Sequence, residues 1–294
     1  MKVERFIYEK DRPEGFTSYL IENSGELQPG KKRPAAVICP GGGYLFLSDR
    51  EAEPIATQFL SRGWQAFTVN YHLGTYDGSV SDVTKECILD VARCIYEIRK
   101  HAEEWYIDPD KIILIGFSAG GHLAASYGNN YSKEWLLGCT GLTGEDLKVA
   151  AAVLAYPVID AEILDNLMEK RGESWDGMKT FMGQMNTAFT GNPHPYGDAR
   201  YDFYKAQKNV GPDTPPTYIC HAADDGLIYV QGSLEYAKAL SEYQIPFELH
   251  VYETGGHGFS LASEYTANDP WHINDVTATW VPEMFEFLKK HVPY

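Results

Sequence analysis

Ile112-Ile113-Leu114-Ile115-Gly116-Phe117-Ser118-Ala119-Gly120-Gly121-His122-Leu123-Ala124-Ala125-Ser126 decides how this chain folds. The apolar run Ile112 to Ile115 suits a strand buried on both faces of a parallel sheet. Gly121 to Ser126 reads as the start of a helix. Between them stands a serine with a glycine two residues away on either side. A serine pushed out at a sharp strand-to-helix turn needs strained backbone angles, and its neighbours two residues away must lack side chains for strand and helix to close on each other. The N–H groups at the helix start point toward the serine oxygen, and the helix dipole favours negative charge there. The bland alternative is a glycine-rich turn holding a buried serine. The strand before and the helix after favour an exposed, reactive one.

Working outward, strands alternate with helices on both sides of this turn. Upstream, Ala35 to Cys39 is a buried strand ending in Pro40-Gly41-Gly42-Gly43-Tyr44, whose glycines let backbone amides approach a ligand. Ser48-Asp49-Arg50-Glu51 opens an amphipathic helix to about Arg62, and Asp49, Arg50 and Glu53 read as its solvated start. Gln65 to Tyr71 is the next strand, with Tyr71 a packing residue at its end. Asp82 to Glu104 is a long helix, its apolar residues Val83, Cys87, Val91, Cys94, Ile95 and Ile98 near a 3.6 period. Asp108 to Lys111 turns into the serine strand. Residues 5–9 and 17–22 read as a short antiparallel pair ahead of all this.

Downstream, residues 129–148 read as a loop with a short segment around Trp135, and Ala150 to Tyr156 as a strand. Residues 160–200 break the rhythm and read as an inserted cap, rich in bulky groups at Trp175, Met178, Phe181, Met182 and Phe189. The core resumes with a strand over 215–221, a helix over 230–243, a strand over 247–252 and a helix over 271–290. The expected fold is α/β: one domain over 1–294, doubly wound around a mainly parallel sheet, with a small cap at about 160–200.

The 294 residues are 44% hydrophobic and 22% charged, ample for a full core. A net charge of −16 argues against nucleic acid or an anionic membrane as partner. No stretch approaches the ~20 apolar residues of a membrane span, and Met1 to Phe6 show no signal-peptide pattern; a cytoplasmic location is expected. Cys39, Cys87, Cys94, Cys139 and Cys220 show no metal spacing and read as reduced thiols. No metal or organic cofactor is implied, and a homo-oligomer is compatible with the composition.

The chemistry follows from chain order. A serine hydroxyl becomes a nucleophile when a histidine takes its proton, and a carboxylate orients the histidine. Where a Gly-x-Ser-x-Gly turn joins a strand to a helix in an α/β hydrolase, the order is serine, acid, histidine, and the groups belong in loops beyond the carboxyl ends of strands. Ser118, Asp225 and His257 satisfy both conditions. His257 alone of nine histidines combines that position with flanking glycines. His122 and His221 read as structural. The acid stays open between the adjacent Asp224 and Asp225, with Asp160 an outsider.

Five stretches together resemble one family: Pro40 to Tyr44, Ser48 to Ala52, Gly116 to His122, His221 to Asp225, and Gly256-His257-Gly258-Phe259. From about residue 35 onward the sequence is similar to α/β-hydrolases of the esterase/lipase group, near hormone-sensitive-lipase-like carboxylesterases and acetyl-xylan-esterase-like proteins. The resemblance implies Asp225 as the acid, since Asp225-Gly226-Leu227-Ile228 fits the family spacing and Asp224 does not. It implies the N–H groups of Gly42, Gly43 and Ala119 as the oxyanion hole. Pro40 stands where the lipase-type motif has histidine, which argues against lipase activity. The implied function is hydrolysis of small-molecule esters with short acyl groups, mainly acetyl and including acetylated sugars, through an acyl-enzyme. The cap side chains are expected to wall a short acyl pocket, and an acid limb at pH of roughly 6–7 is expected of a histidine base. Two readings compete: a prolyl-oligopeptidase-type serine peptidase, which normally carries a large extra N-terminal domain where some 34 residues precede Ala35 here, and a non-catalytic binding protein on the same fold.

Overall fold

The computed structural model describes residues 1–26, 29–172 and 176–293, with the backbone alone at 176–178. In chain order the elements are β1 (Lys2–Ile7), β2 (Gly15–Leu20), β3 (Arg33–Cys39), α1 (Glu53–Leu60), β4 (Gln65–Asn70), α2 (Thr84–Lys100), β5 (Ile107–Phe117), α3 (Ala119–Asn130), α4 (Glu134–Thr140), α5 (Gly144–Leu147), β6 (Ala151–Ala155), α6 (Ala161–Arg171), α7 (Asp176–Thr190), β7 (Thr217–Ala222), α8 (Gln231–Glu242), β8 (Phe247–Tyr252) and α9 (Trp280–His291). The strands form one eight-stranded sheet in the order β1-β2-β4-β3-β5-β6-β7-β8. From β4 across to β8 the pairs are parallel, and only β1–β2 and β2–β4 are antiparallel. This is the α/β-hydrolase fold.

Alternation along the central strands splits the core into two layers. Val37, Ile112 and Leu114 face α2, α3 and α8, while Ile38, Ile113 and Ile115 face α1 and α9. Both faces of β3 and of β5 from Ile112 onward are covered, which is why Ala35 to Cys39 and Ile112 to Ile115 read as apolar runs. Among the described residues no helix is long and apolar enough to cross a membrane.

Several boundaries differ from the sequence expectation, each for a local reason. The first hairpin is shifted toward the N-terminus, pairing Lys2 with Leu20 and Ile7 with Gly15. β2 also pairs with β4 from Gly15 opposite Asn70, and Phe6 stacks on Phe16 with ring centroids 4.8 Å apart. Residues 108–111 do not separate an element from β5. Arg33 pairs with Ile107 and Ala35 with Ile112, so the intervening residues bulge out of one strand. The 129–148 loop contains α4 and α5: Gly141 ends the first in the left-handed conformation, and a Thr143–Asp146 capping box starts the second. The last helix begins at Trp280, nine residues later than the pattern suggests. Asn274 Oδ1 accepts the N–H groups of Val276 and Thr277, holding the preceding segment in a turn.

Candidate active site

Ser118 sits between β5 and α3 with φ 52° and ψ −116°, a strained conformation for a residue with a side chain. The turn is tight because two glycines allow it. A Cβ on Gly116 would lie 2.0 Å from the Gly120 carbonyl oxygen, and one on Gly120 would lie 2.1 Å from that of Cys39. The Ser118 N–H donates to the Ala155 carbonyl on the neighbouring strand. The hydroxyl therefore projects past the carboxyl edge of the sheet.

His257 comes from the loop after β8. Its Nε2 lies 2.9 Å from Ser118 Oγ, and its Nδ1 lies 2.8 Å from Asp225 Oδ2. A nitrogen facing a carboxylate carries the proton, so Nε2 is left as acceptor for the serine hydroxyl. Asp225, in the loop after β7, is 2% exposed. Its Oδ1 accepts the N–H groups of Leu227 at 2.9 Å and Ile228 at 2.8 Å. Asp224 points elsewhere: exposed, it accepts the Gly256 N–H at 2.8 Å and so braces the histidine loop from outside. Asp160 caps α6, accepting the Glu162 N–H, and takes no part.

Two side chains at the site differ from the sequence expectation. His221 is fully buried, and its Nε2 lies 3.1 Å from Asp225 Oδ2 while also donating to the Ile228 carbonyl at 2.8 Å. Its Nδ1 meets Ser233 Oγ. Burial penalises the Asp225 carboxylate, but His257 and His221 outweigh it and hold its pKa below the ordinary range. Arg50 is no solvated helix start. It donates to the carbonyls of Gly258 and Thr266 and so clasps the histidine loop. Burial works against the charged form of His257, and the carboxylates of Asp225 and Glu51 reverse that, raising its pKa.

Gly42 and Gly43 line the same cavity as Ser118 and His257, an open space of about 620 Å³. Gly42 has φ +127°, and its carbonyl accepts the N–H groups of Leu45 and Phe46, so the loop curls back on itself. Among the described residues the N–H groups of Gly42 and Gly43 find no protein acceptor. The N–H of Ala119, first residue of α3, is an orphan donor of a helix N-terminus. Tyr44 anchors the loop from below. Its O–H donates to His122 Nδ1 at 2.7 Å, and His122 Nε2–H donates to the Tyr204 carbonyl at 2.8 Å. Burial lowers the His122 pKa to about 4, so this histidine stays neutral. Tyr71, also buried, donates its O–H to the Pro40 carbonyl.

Among the described residues of the segment between β6 and β7, Phe181 lines the cavity. A Cβ on Gly43 would meet Phe181 Cζ at 3.2 Å and Met185 Cγ at 3.7 Å, so α7 presses on the glycine loop. Phe189 instead packs beneath the loop on Tyr44 and His122, and Met182 lines a separate cleft with Asp165 and Tyr196. Trp175 lies outside the described residues, as does the Met178 side chain. The remaining cavity walls include Phe46, Asp49, Arg50, Leu227 and Asn268.

Comparison with known proteins gives a consistent pattern. A sequence profile described as BD-FAE matches residues 26–240. The endo-1,4-beta-xylanase B of Butyrivibrio fibrisolvens is 30% identical over 79% of this chain and 33% of its own length. The acetylxylan esterase of Xylanibacter ruminicola is 27% identical over 80% of this chain and 43% of its own length. The chain thus spans about a third to two fifths of the length of these two relatives. Among solved structures, the carboxylesterase Cest-2923 from Lactobacillus plantarum is 28% identical with a TM-score of 0.81, covering 99% of this chain and 98% of that one. An acetyl ester-xyloside bifunctional hydrolase from Caldicellulosiruptor lactoaceticus is 26% identical with a TM-score of 0.68, covering 95% and 92%.

Proposed function

The chain belongs to the BD-FAE family of α/β-hydrolases, and from that premise we propose that it is a serine carboxylesterase acting on short acyl esters, acetyl above all. Ser118 is the nucleophile, His257 the base and Asp225 the orienting acid. The N–H groups of Gly42, Gly43 and Ala119 receive the oxyanion.

The observation that carries this reading is the relay of two contacts, 2.9 Å from Ser118 to His257 and 2.8 Å from His257 to Asp225, opening on a cavity. In the first half-reaction Ser118 Oγ attacks the ester carbonyl carbon while His257 Nε2 takes the hydroxyl proton. The carbonyl oxygen gains the charge and turns toward the three N–H groups. The tetrahedral adduct collapses, the C–O bond to the alcohol breaks, and His257 Nε2–H protonates the leaving oxygen. Water then attacks the acyl-serine by the same route and releases the acid. Asp225 remains ionised throughout and stabilises the imidazolium.

The short acyl group is supported by α7, whose Phe181 and Met185 crowd the glycine loop. A sugar as the alcohol is supported by the polar mouth at Asp49, Arg50 and Asn268, and by relatives described as acetylxylan esterase and acetyl ester-xyloside hydrolase. Residues 160–200 are read as a small cap inserted into a single domain.

Fluorophosphonate labelling joined to an ester-versus-amide comparison tests the proposal. The wild type is expected to label at Ser118 and to cleave p-nitrophenyl acetate far faster than the matching anilide. Ser118→Ala is expected to lose labelling and to lower kcat by roughly 10⁴-fold or more while folded, as serine removal does in triad enzymes. No labelling of wild type points to a binding protein, and efficient amide cleavage to a peptidase.

A further inference from the structure

Glu51 belongs to the charged stretch expected to open a helix, and it is 4% exposed. Its carboxylate has no ion pair among the described residues. Oε2 accepts the N–H of Gly41 at 2.8 Å, and Oε1 accepts the O–H of Tyr156 at 2.7 Å. Both donors are neutral, and a buried carboxylate without a cation is costly unless it is paired. Gly41 has no side chain because the carboxylate occupies that space. A Cβ there would meet Glu51 Oε2 at 2.7 Å.

Each of these contacts leads to one half of the catalytic apparatus. Gly41 precedes Gly42 and Gly43, so the Glu51 contact fixes the start of the glycine loop. The Tyr156 oxygen accepts the Ser260 N–H at 3.0 Å, and Ser260 lies three residues beyond His257. The Tyr156 ring meets the His257 ring edge-on, with centroids 5.2 Å apart and planes at 72°. Tyr156 itself is held at φ +38°, a strained angle at the end of β6. One carboxylate therefore joins two loops far apart in sequence.

His257 meets the Asp225 carboxylate at Nδ1, the Ser118 hydroxyl at Nε2 and the Tyr156 ring, and Arg50 and Glu51 line the same cavity. In the resting site the Glu51 carboxylate has no cation in contact among the described residues, and it lines the same cavity as His257. The imidazolium that forms as the serine proton transfers supplies one nearby, at the moment it is needed.

We propose that Glu51 is a positioning residue of this site: its carboxylate fastens the glycine loop and the histidine loop to one anchor, and it supplies a second negative charge, after Asp225, that stabilises the His257 imidazolium. The inference rests on His257 acting as the base.

Two variants separate charge from position. Glu51→Gln keeps the shape and removes the charge. Its acid limb of kcat/KM is expected to move down by about half a pH unit or more, because a nearby carboxylate favours the protonated ring. Its kcat is expected to fall roughly tenfold or more through the loosened loops. Tyr156→Phe keeps the charge and cuts the tie to Ser260, so kcat is expected to fall with the acid limb in place. A folded Glu51→Gln variant with a wild-type acid limb overturns the proposal, and so does an equal displacement of the limb in both variants. Should Glu51→Gln not fold, Tyr156→Phe decides: a lowered kcat with an unmoved limb supports the anchor, and an unchanged kcat overturns it. Failure of the esterase reading shows separately, as wild-type protein without labelling or activity.

Discussion

Replacing Asp225 by asparagine is expected to cost about 10⁴ in kcat/KM, or about 5.5 kcal/mol of transition-state stabilisation, because it keeps the shape of the site and reverses one proton. Asp225 Oδ2 faces two ring nitrogens, His257 Nδ1 at 2.8 Å and His221 Nε2 at 3.1 Å. Oδ1 accepts from the backbone of Leu227 and Ile228, donors that cannot turn away. The asparagine oxygen must serve those two N–H groups. Its NH2 then faces His257 Nδ1, which has to accept, and the ring proton moves to Nε2. A ring protonated there has no lone pair for the Ser118 hydroxyl. Asp224→Asn is the control. That carboxylate accepts one backbone N–H, from Gly256, at an exposed site. An asparagine oxygen accepts the same bond, so the expected loss is below about threefold, within the range of one ordinary hydrogen bond. The assay is steady-state hydrolysis of p-nitrophenyl acetate by purified variants with matched circular dichroism and melting curves. More than a tenth of wild-type activity in Asp225→Asn, or a larger loss in Asp224→Asn, refutes the reasoning.

The pH profile and the acyl series give further tests. The base works deprotonated, so kcat/KM falls as pH drops through the His257 pKa. Burial opposes the charged ring and the carboxylates more than compensate, so the acid limb is expected above the ordinary ~6.5 rather than centred on it; a limb at about pH 5.5 or below in folded enzyme contradicts this. Across p-nitrophenyl esters, kcat/KM is expected to fall in steps from acetyl to butyryl, since each methylene is worth only ~1–3 kcal/mol in an apolar pocket, and to collapse at octanoyl. Phe181→Ala, which opens the α7 side of the cavity, is expected to raise the octanoyl-to-acetyl ratio roughly tenfold or more. A wild-type kcat/KM that rises from two to eight carbons removes the short pocket.

Local signals carried most of the fold. Apolar runs bounded by turn residues located the central strands, because a strand buried on both faces has to be apolar throughout. Ser118 was legible because a strand-turn-helix with glycines at 116 and 120 has few other uses. His257 was legible from its order and its flanking glycines. Boundaries slipped where pairing or a side-chain turn decided them, as at Gly15 and Asn274, since neither a partner strand nor an Asn hydrogen bond shows in periodicity.

Adjacent aspartates look alike along the chain, and the structure separates Asp225, turned onto two histidines, from Asp224, turned onto Gly256. Phe181, Met182 and Phe189 share one helix and go to three different surroundings, because a helical period gives a face and not what lies against it. Glu51 is the clearest case. A charged residue among Asp49, Arg50 and Glu53 reads as solvated, and its burial depends on Tyr156, 105 positions away, and on the loop that brings Ser260 back over it. The sequence by itself determined the sheet, the turn that carries Ser118 and the order of the groups around it, because short-range sterics and hydrophobic periodicity act within a few residues. Only the tertiary structure decided which carboxylates face His257 and which side chains wall the cavity, because those depend on loops that meet in space after long stretches of intervening chain.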